Sequence, residues 1–137
     1  MRKLIIIAMT LTILNSCAFD LKKTDDSISV SLNYAIYIQE NEVFDIKEPH
    51  FCYFFLSSCV SCDSIKSKIE LYAREHQDFY MVEAPANYKK GITREDSIGA
   101  KSIDEIKFLG FPTMIFIENN LLTEMYVGIN EIVSVLF

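Results

Sequence analysis

The sequence predicts an α/β domain, and three segments carry that prediction. FCYFFL (51–56) is continuously apolar, as suits a central strand covered on both faces. The segment from Cys59 to His76 places Cys62, Ile65, Ile69, Tyr72 and Ala73 at helical spacing. Lys66, Lys68, Glu70, Arg74 and Glu75 fall largely on other faces, and no Gly or Pro interrupts it. DFYMVEA (78–84) reads as a second strand, ended by Pro85. Strand, helix and strand in that order make a βαβ unit, for which a right-handed crossover is the rule.

The chain starts with Arg2 and Lys3, then an unbroken low-polarity run LIIIAMTLTIL (4–14), then NSC. This is the three-part pattern of an export signal. The run is shorter than the roughly 20 residues a spanning helix needs. A buried first element is the alternative, and the run's position after two cations and before polar sequence argues against it. Leu14-Asn15-Ser16-Cys17 resembles a bacterial lipoprotein box, with Asn15 an imperfect middle residue. The resemblance implies cleavage before Cys17 and a lipid anchor on its thiol. It places the protein outside the cytoplasm, on the bacterial cell envelope. A secreted or periplasmic soluble form is the alternative. The expected organisation is a signal at 1–16, a polar tether at 17–29 and a domain at 30–137.

Within that domain, Val30, Leu32, Tyr34, Ile36 and Ile38 alternate at period two, as a first strand does. Residues 39–49 read as a turn and a short helix. Ser57 or Ser58 can cap the helix that follows the apolar strand. Residues 87–101 are polar, carry Gly91 and Gly99, and read as a loop or partly helical insertion. Residues 102–109 read as a short helix, with Ser102 and Glu105 at capping-box spacing and Ile103, Ile106 and Leu109 facing inward. A strand begins at Pro112, Asn119-Asn120 turns the chain, and LLTEMYVG (121–128) returns as its hairpin partner. INEIVSVLF closes the chain as a helix, with Ile132, Val133, Leu136 and Phe137 available for packing.

Composition bounds the function. The 137 residues carry a net charge of −6. Loss of residues 1–16, which hold Arg2 and Lys3 and no acid, would make it −8. Such a surface excludes a nucleic-acid binder that tracks the backbone with clustered Lys and Arg. Of the four cysteines, Cys59 and Cys62 are spaced to pair, and Cys52 sits inside the apolar strand as a buried, unreactive thiol. A third redox role or an intermolecular disulfide is the alternative for Cys52. His50 and His76 are isolated and read as surface or helix-end residues rather than ligands. No metal and no cofactor is expected.

Cys-x-x-Cys after a buried strand and at a helix start forms a thiol–disulfide site. The first helical turn leaves N–H groups unpaired, and they favour a thiolate at Cys59. The dipole contributes roughly 0.3–1 kcal/mol in an exposed setting, so direct N–H···S bonds must supply more. Cys59, at the tip, is the attacking thiol, and Cys62, one turn deeper, is the resolving one. Asp63 opposes a thiolate, and Lys66 partly offsets it. An inert structural disulfide is the alternative. Half of a zinc site fails because the other half is missing.

FCYFFLSSCVSCDSIKSKI, then GFPTMIFIENN, then YVG resembles thioredoxin over roughly 31–137. The resemblance implies a thioredoxin-like fold: a central mixed sheet flanked by helices, with a cis-proline before the terminal hairpin. It puts Pro112 at the cis-proline beside the thiols and lets the Phe111 main chain pair with an extended substrate. Ser58, Val60 and Ser61 complete the contact surface around the two cysteines. Gly128 matches the family's late strand glycine. Three positions depart from the pattern. Ser58 replaces a Trp, Val60-Ser61 replaces Gly-Pro, and Tyr53 stands where a buried acid helps move the resolving thiol's proton. The whole resembles small exported thioredoxin-like lipoproteins, some of which accompany bacteriocin or peptide export systems.

Two functions follow as expectations. One is a thiol–disulfide oxidoreductase acting on extracytoplasmic protein disulfides or on a redox partner protein. The other is a non-catalytic binding or accessory module with a structural Cys59–Cys62 disulfide. Nothing marks a peroxide site.

Overall fold

The computed structural model describes residues 34–137. The signal, the tether, Cys17, and Val30 and Leu32 of the first-strand pattern lie outside the described residues.

The apolar run becomes β2 (His50–Phe55), the middle of a five-stranded sheet ordered β1-β3-β2-β6-β7. β1 (Ile36–Ile38) and β2 both pair in parallel with β3 (Phe79–Glu83). β6 (Thr113–Glu118) runs antiparallel to β2 and to β7 (Leu121–Val127), so the sheet is mixed. Asn119 and Asn120 both take positive φ, 53° and 58°, which is the twist a two-residue hairpin turn needs. The helix from the Cys pair is α1 (Val60–Glu75), and the chain closes with α2 (Ile129–Leu136).

Alternation along β2 divides the core. Tyr53 joins Ile69 and Ala73 of α1 and Ile132 of α2 on one face. Cys52 and Phe54 join Ile106, Phe108 and Ala100 on the other. Both α-helices therefore cover one face, and the 85–108 segment covers its opposite.

That segment departs from the expected helix at 102–109. Only Ile103–Glu105 turns, as a 3-10 helix, and β5 (Lys107–Phe108) follows, paired in parallel with β4 (Lys89–Lys90). The reason is competition for the backbone. The Lys107 N–H donates to Ser97 Oγ at 2.7 Å, and the Ser97 hydroxyl donates to the Lys107 carbonyl at 3.0 Å. A helix over 102–109 would need the Lys107 N–H for the Ile103 carbonyl. Ser102 makes no side-chain cap, while Glu105 accepts from the Lys101 N–H at 2.8 Å, one residue earlier than a capping box requires. Ile106 is buried as expected, whereas Ile103 and Leu109 are half-buried. Just beyond β4, Gly91 lets the chain pass close to β5: a Cβ there would stand 2.9 Å from the Lys107 Cβ.

His50 also differs from its surface reading. It is buried, with ring nitrogens 2.7 Å from the Glu48 carbonyl oxygen and 2.9 Å from that of Val43. Its position between a polar turn and a strand gave no sign of this, because the two carbonyls belong to a loop that folds back. His76 ends α1 and stacks on Tyr72 with ring centres 3.8 Å apart.

Candidate functional site

Cys59, neither of the serines before it, caps α1. Its backbone is extended, and its sulfur accepts from the Cys62 N–H at 3.1 Å. Ser58 is spent on the turn before the cap, and the Ser57 hydroxyl donates to the Glu83 carboxylate instead. The Cys59 and Cys62 sulfurs are bonded to each other, with Cα atoms 5.2 Å apart. Were the pair reduced with this backbone unchanged, the same N–H would face the Cys59 thiolate. A hydrogen bond to a charged group contributes about 1.5–3 kcal/mol, more than the dipole supplies. The backbone of the first turn therefore favours ionisation of the outer thiol. Cys59 is partly exposed and Cys62 is 4% exposed, the order of access that attack followed by resolution requires.

Two concavities flank the pair. A groove of about 420 Å³ runs past Ser61, Phe111, Pro112, Val127, Gly128 and Glu131. The Phe111–Pro112 peptide is cis. The loop bearing it is pinned at both ends: the Thr113 hydroxyl donates to the Gly110 carbonyl at 2.6 Å, and the Gly128 N–H to the Pro112 carbonyl at 2.8 Å. Gly128 does this at φ 83° and ψ 165°, a region that glycine alone enters easily. The Phe111 ring turns inward against Phe108 and Tyr88, and its main chain has no hydrogen-bond partner among the described residues. An extended chain lying in the groove would find that edge open.

A second cavity, of about 240 Å³, lies behind Cys62, lined by Tyr53, Phe55, Leu56, Met81, Asp63 and Lys66. Ser57 also borders it. The structure thus brings Ser61, Phe111 and Pro112 together in one groove and puts Cys62 at the wall of another. Val60 projects into solvent at the tip, 84% exposed. The groove wall formed by Val127 to Glu131 was not among the sequence candidates. Gly128 was the one signal pointing to it.

No protein-family model matches the chain, and no curated protein does. Solved structures do. Spinach chloroplast thioredoxin f, in its short form, superposes with a TM-score of 0.54 at 14% identity, covering 76% of this chain and 91% of that one. The thioredoxin f2 found in complex with ferredoxin:thioredoxin reductase superposes with a TM-score of 0.51 at 12% identity, covering 70% and 84%. The fold is thioredoxin-like. In this thioredoxin-like fold the Cys pair sits at the start of α1, after the central strand. The cis-proline loop leads into the terminal hairpin.

Cys52 is buried with no exposed surface, unpaired, and its thiol is pushed up by burial, so it takes no part in this surface. No cluster of three or more His, Cys, Asp or Glu side chains suited to a metal ion occurs among the described residues.

Proposed function

We propose that this protein exchanges thiols and disulfides with protein substrates through Cys59 and Cys62. The observation that carries the reading is the placement of a cysteine pair on the first turn of α1, with the Cys62 N–H on the Cys59 sulfur and a groove beside it that holds Ser61, Phe111 and Pro112. Cys59 attacks, Cys62 resolves, and an extended substrate segment lies along the Phe111 edge. Ser58, Val60 and Ser61 form the rest of the contact surface. The thioredoxin f2 structure was obtained with a reductase, and a redox partner protein is the kind of partner this surface fits.

The export pattern and the lipoprotein-like box at Cys17 support an anchored, extracytoplasmic location, in which disulfides persist. In this reading the lipid on Cys17 is the anchor; among the described residues no helix is long and apolar enough to cross a membrane. An accessory role beside a peptide export system remains the finer proposal, supported by the resemblance alone.

The test is reduction of a protein disulfide by dithiothreitol, with the full chain and its Cys59→Ser form. Acceleration by the first and none by the second is expected. Equal rates from the two would sink the enzyme reading. A second reading has its own observation: the pair is closed, and its inner sulfur is nearly sealed from solvent. In that reading the disulfide is structural and the fold binds a partner without chemistry. A redox titration separates them, because catalytic pairs lie at about −120 to −270 mV whereas structural disulfides fall below about −300 mV.

A further inference from the structure

We infer that Tyr53 is a positioning residue for the resolving thiol: its hydroxyl donates, directly or through one water in the cavity behind Cys62, to the Cys62 sulfur when that sulfur is charged. The inference rests on the exchange reading above. Three observations carry it.

Among the described residues, the Tyr53 hydroxyl is the buried side-chain polar atom left without a hydrogen-bond partner. Buried hydroxyls are nearly always paired, so an orphan asks for a partner that another state supplies. Tyr53 and Cys62 line the same cavity, and both are almost fully buried. Phe55, Leu56 and Met81 make the rest of its inner wall and offer no hydrogen-bond donors, apart from main chain. The charged groups that line it are Asp63 and Lys66 from α1, and Glu83 of β3 holds the hydroxyl of the bordering Ser57. All three are exposed, so they lie toward the mouth. A thiolate forming at Cys62 therefore has one buried side-chain donor within its own cavity. Burial also keeps the Tyr53 phenol protonated, which makes it a donor rather than a base.

The chemistry balances as follows. A dithiol reductant delivers the reduced pair. The Cys59 thiolate attacks a substrate disulfide, forming a mixed disulfide and releasing one substrate thiolate. Cys62 gives its proton to water at the cavity mouth, and its thiolate attacks the Cys59 sulfur. The Cys59–Cys62 bond forms as the Cys59–substrate bond breaks. The second substrate thiolate leaves and takes a proton from water. Two electrons have passed from the cysteine pair to the substrate disulfide, and Tyr53 has kept its proton throughout.

Tyr53→Phe keeps the ring and removes only the donor. In a Cys59→Ser background, the pH dependence of Cys62 alkylation by iodoacetamide, mapped to that residue by mass spectrometry, reads its ionisation. Adding Tyr53→Phe should raise the Cys62 midpoint by about one unit, a roughly tenfold slower reaction near neutral pH. In a Cys62→Ser background the same change should leave the Cys59 midpoint in place. A Cys62 midpoint that stays put or falls would overturn the inference. A second measurement needs no change at Tyr53. With its Cζ carbon labelled, the Tyr53 resonance in Cys59→Ser should move with the Cys62 titration, and a flat response would overturn the inference equally. If Cys59→Ser proves as active as the unaltered chain, the exchange reading itself fails. If activity depends on Cys59 while Cys62 ignores Tyr53, only the role given to Tyr53 fails.

Discussion

Three cysteines among the described residues have three different fates, and burial and backbone geometry separate them. Cys59 is a helix cap whose sulfur already receives an N–H. Cys62 sits one turn deeper against a cavity. Cys52 pairs in register between Tyr80 and Ile115 in the centre of the sheet. Its burial holds the thiol in its neutral, unreactive form. We predict that iodoacetamide at pH 8 modifies Cys59 in the reduced native protein and leaves Cys52 untouched until the chain unfolds. Comparable modification of both in the folded state would contradict the position given to Cys52. The burial of Cys52 was legible in the sequence, because a cysteine inside FCYFFL can hardly reach solvent, whereas the cap was expected at Ser57 or Ser58 and falls at Cys59. The burial of His50 was not, since the carbonyls that receive its ring come from Val43 and Glu48.

At the level of elements, the terminal hairpin shows how far local chemistry reaches. Asn119-Asn120 marked the turn, and the structure places both residues in the left-handed region. Asn tolerates that region, yet glycine enters it without a Cβ penalty, and Asn-Gly is the preferred pair. Asn120→Gly should therefore raise stability, by up to about 1 kcal/mol, readable as a higher denaturation midpoint. A lower midpoint would argue that Asn120 contributes something beyond backbone conformation. The 102–109 segment is the opposite case. Its helical spacing of Ile103, Ile106 and Leu109 was real, but Ser97 and β4 compete for the same backbone groups. Spacing within eight residues cannot reveal a partner ten positions upstream.

At the scale of the molecule, Glu131 ties together parts that are distant in sequence. Its carboxylate accepts from the Val127 N–H at 2.8 Å and pairs with Arg94 from the segment covering the other face. The Val127 N–H, and then the Arg94 guanidinium, hold its carboxyl below the usual range. A depressed folded value means stability that is present above the unfolded carboxylate pKa, near 4.3, and lost as pH falls through the lower folded value. Glu131→Gln should thus lower the melting temperature at pH 7, and the gap should close as the pH drops below about 4. A gap that persists unchanged at acid pH would mean that the carboxylate's charge is not what stabilises. The pair is partly exposed, so the effect should also weaken in high salt.

The sequence by itself determined β2, β3 and the terminal hairpin, α1 and α2, the cysteine pair on the first turn of α1, and the turn that closes the hairpin. Each depends on neighbours within a few residues, where periodicity and backbone preference act. Only the tertiary structure decided which face the 85–108 segment covers, which groove Ser61 shares with Pro112, and what stands behind Cys62. Those depend on groups far apart in the chain meeting across the sheet. The proposed thiol chemistry rests on one such meeting: the start of α1 and the Phe111–Pro112 loop bordering one groove. Disulfide reduction that proceeds as fast without the Cys59 sulfur would leave that meeting without a purpose.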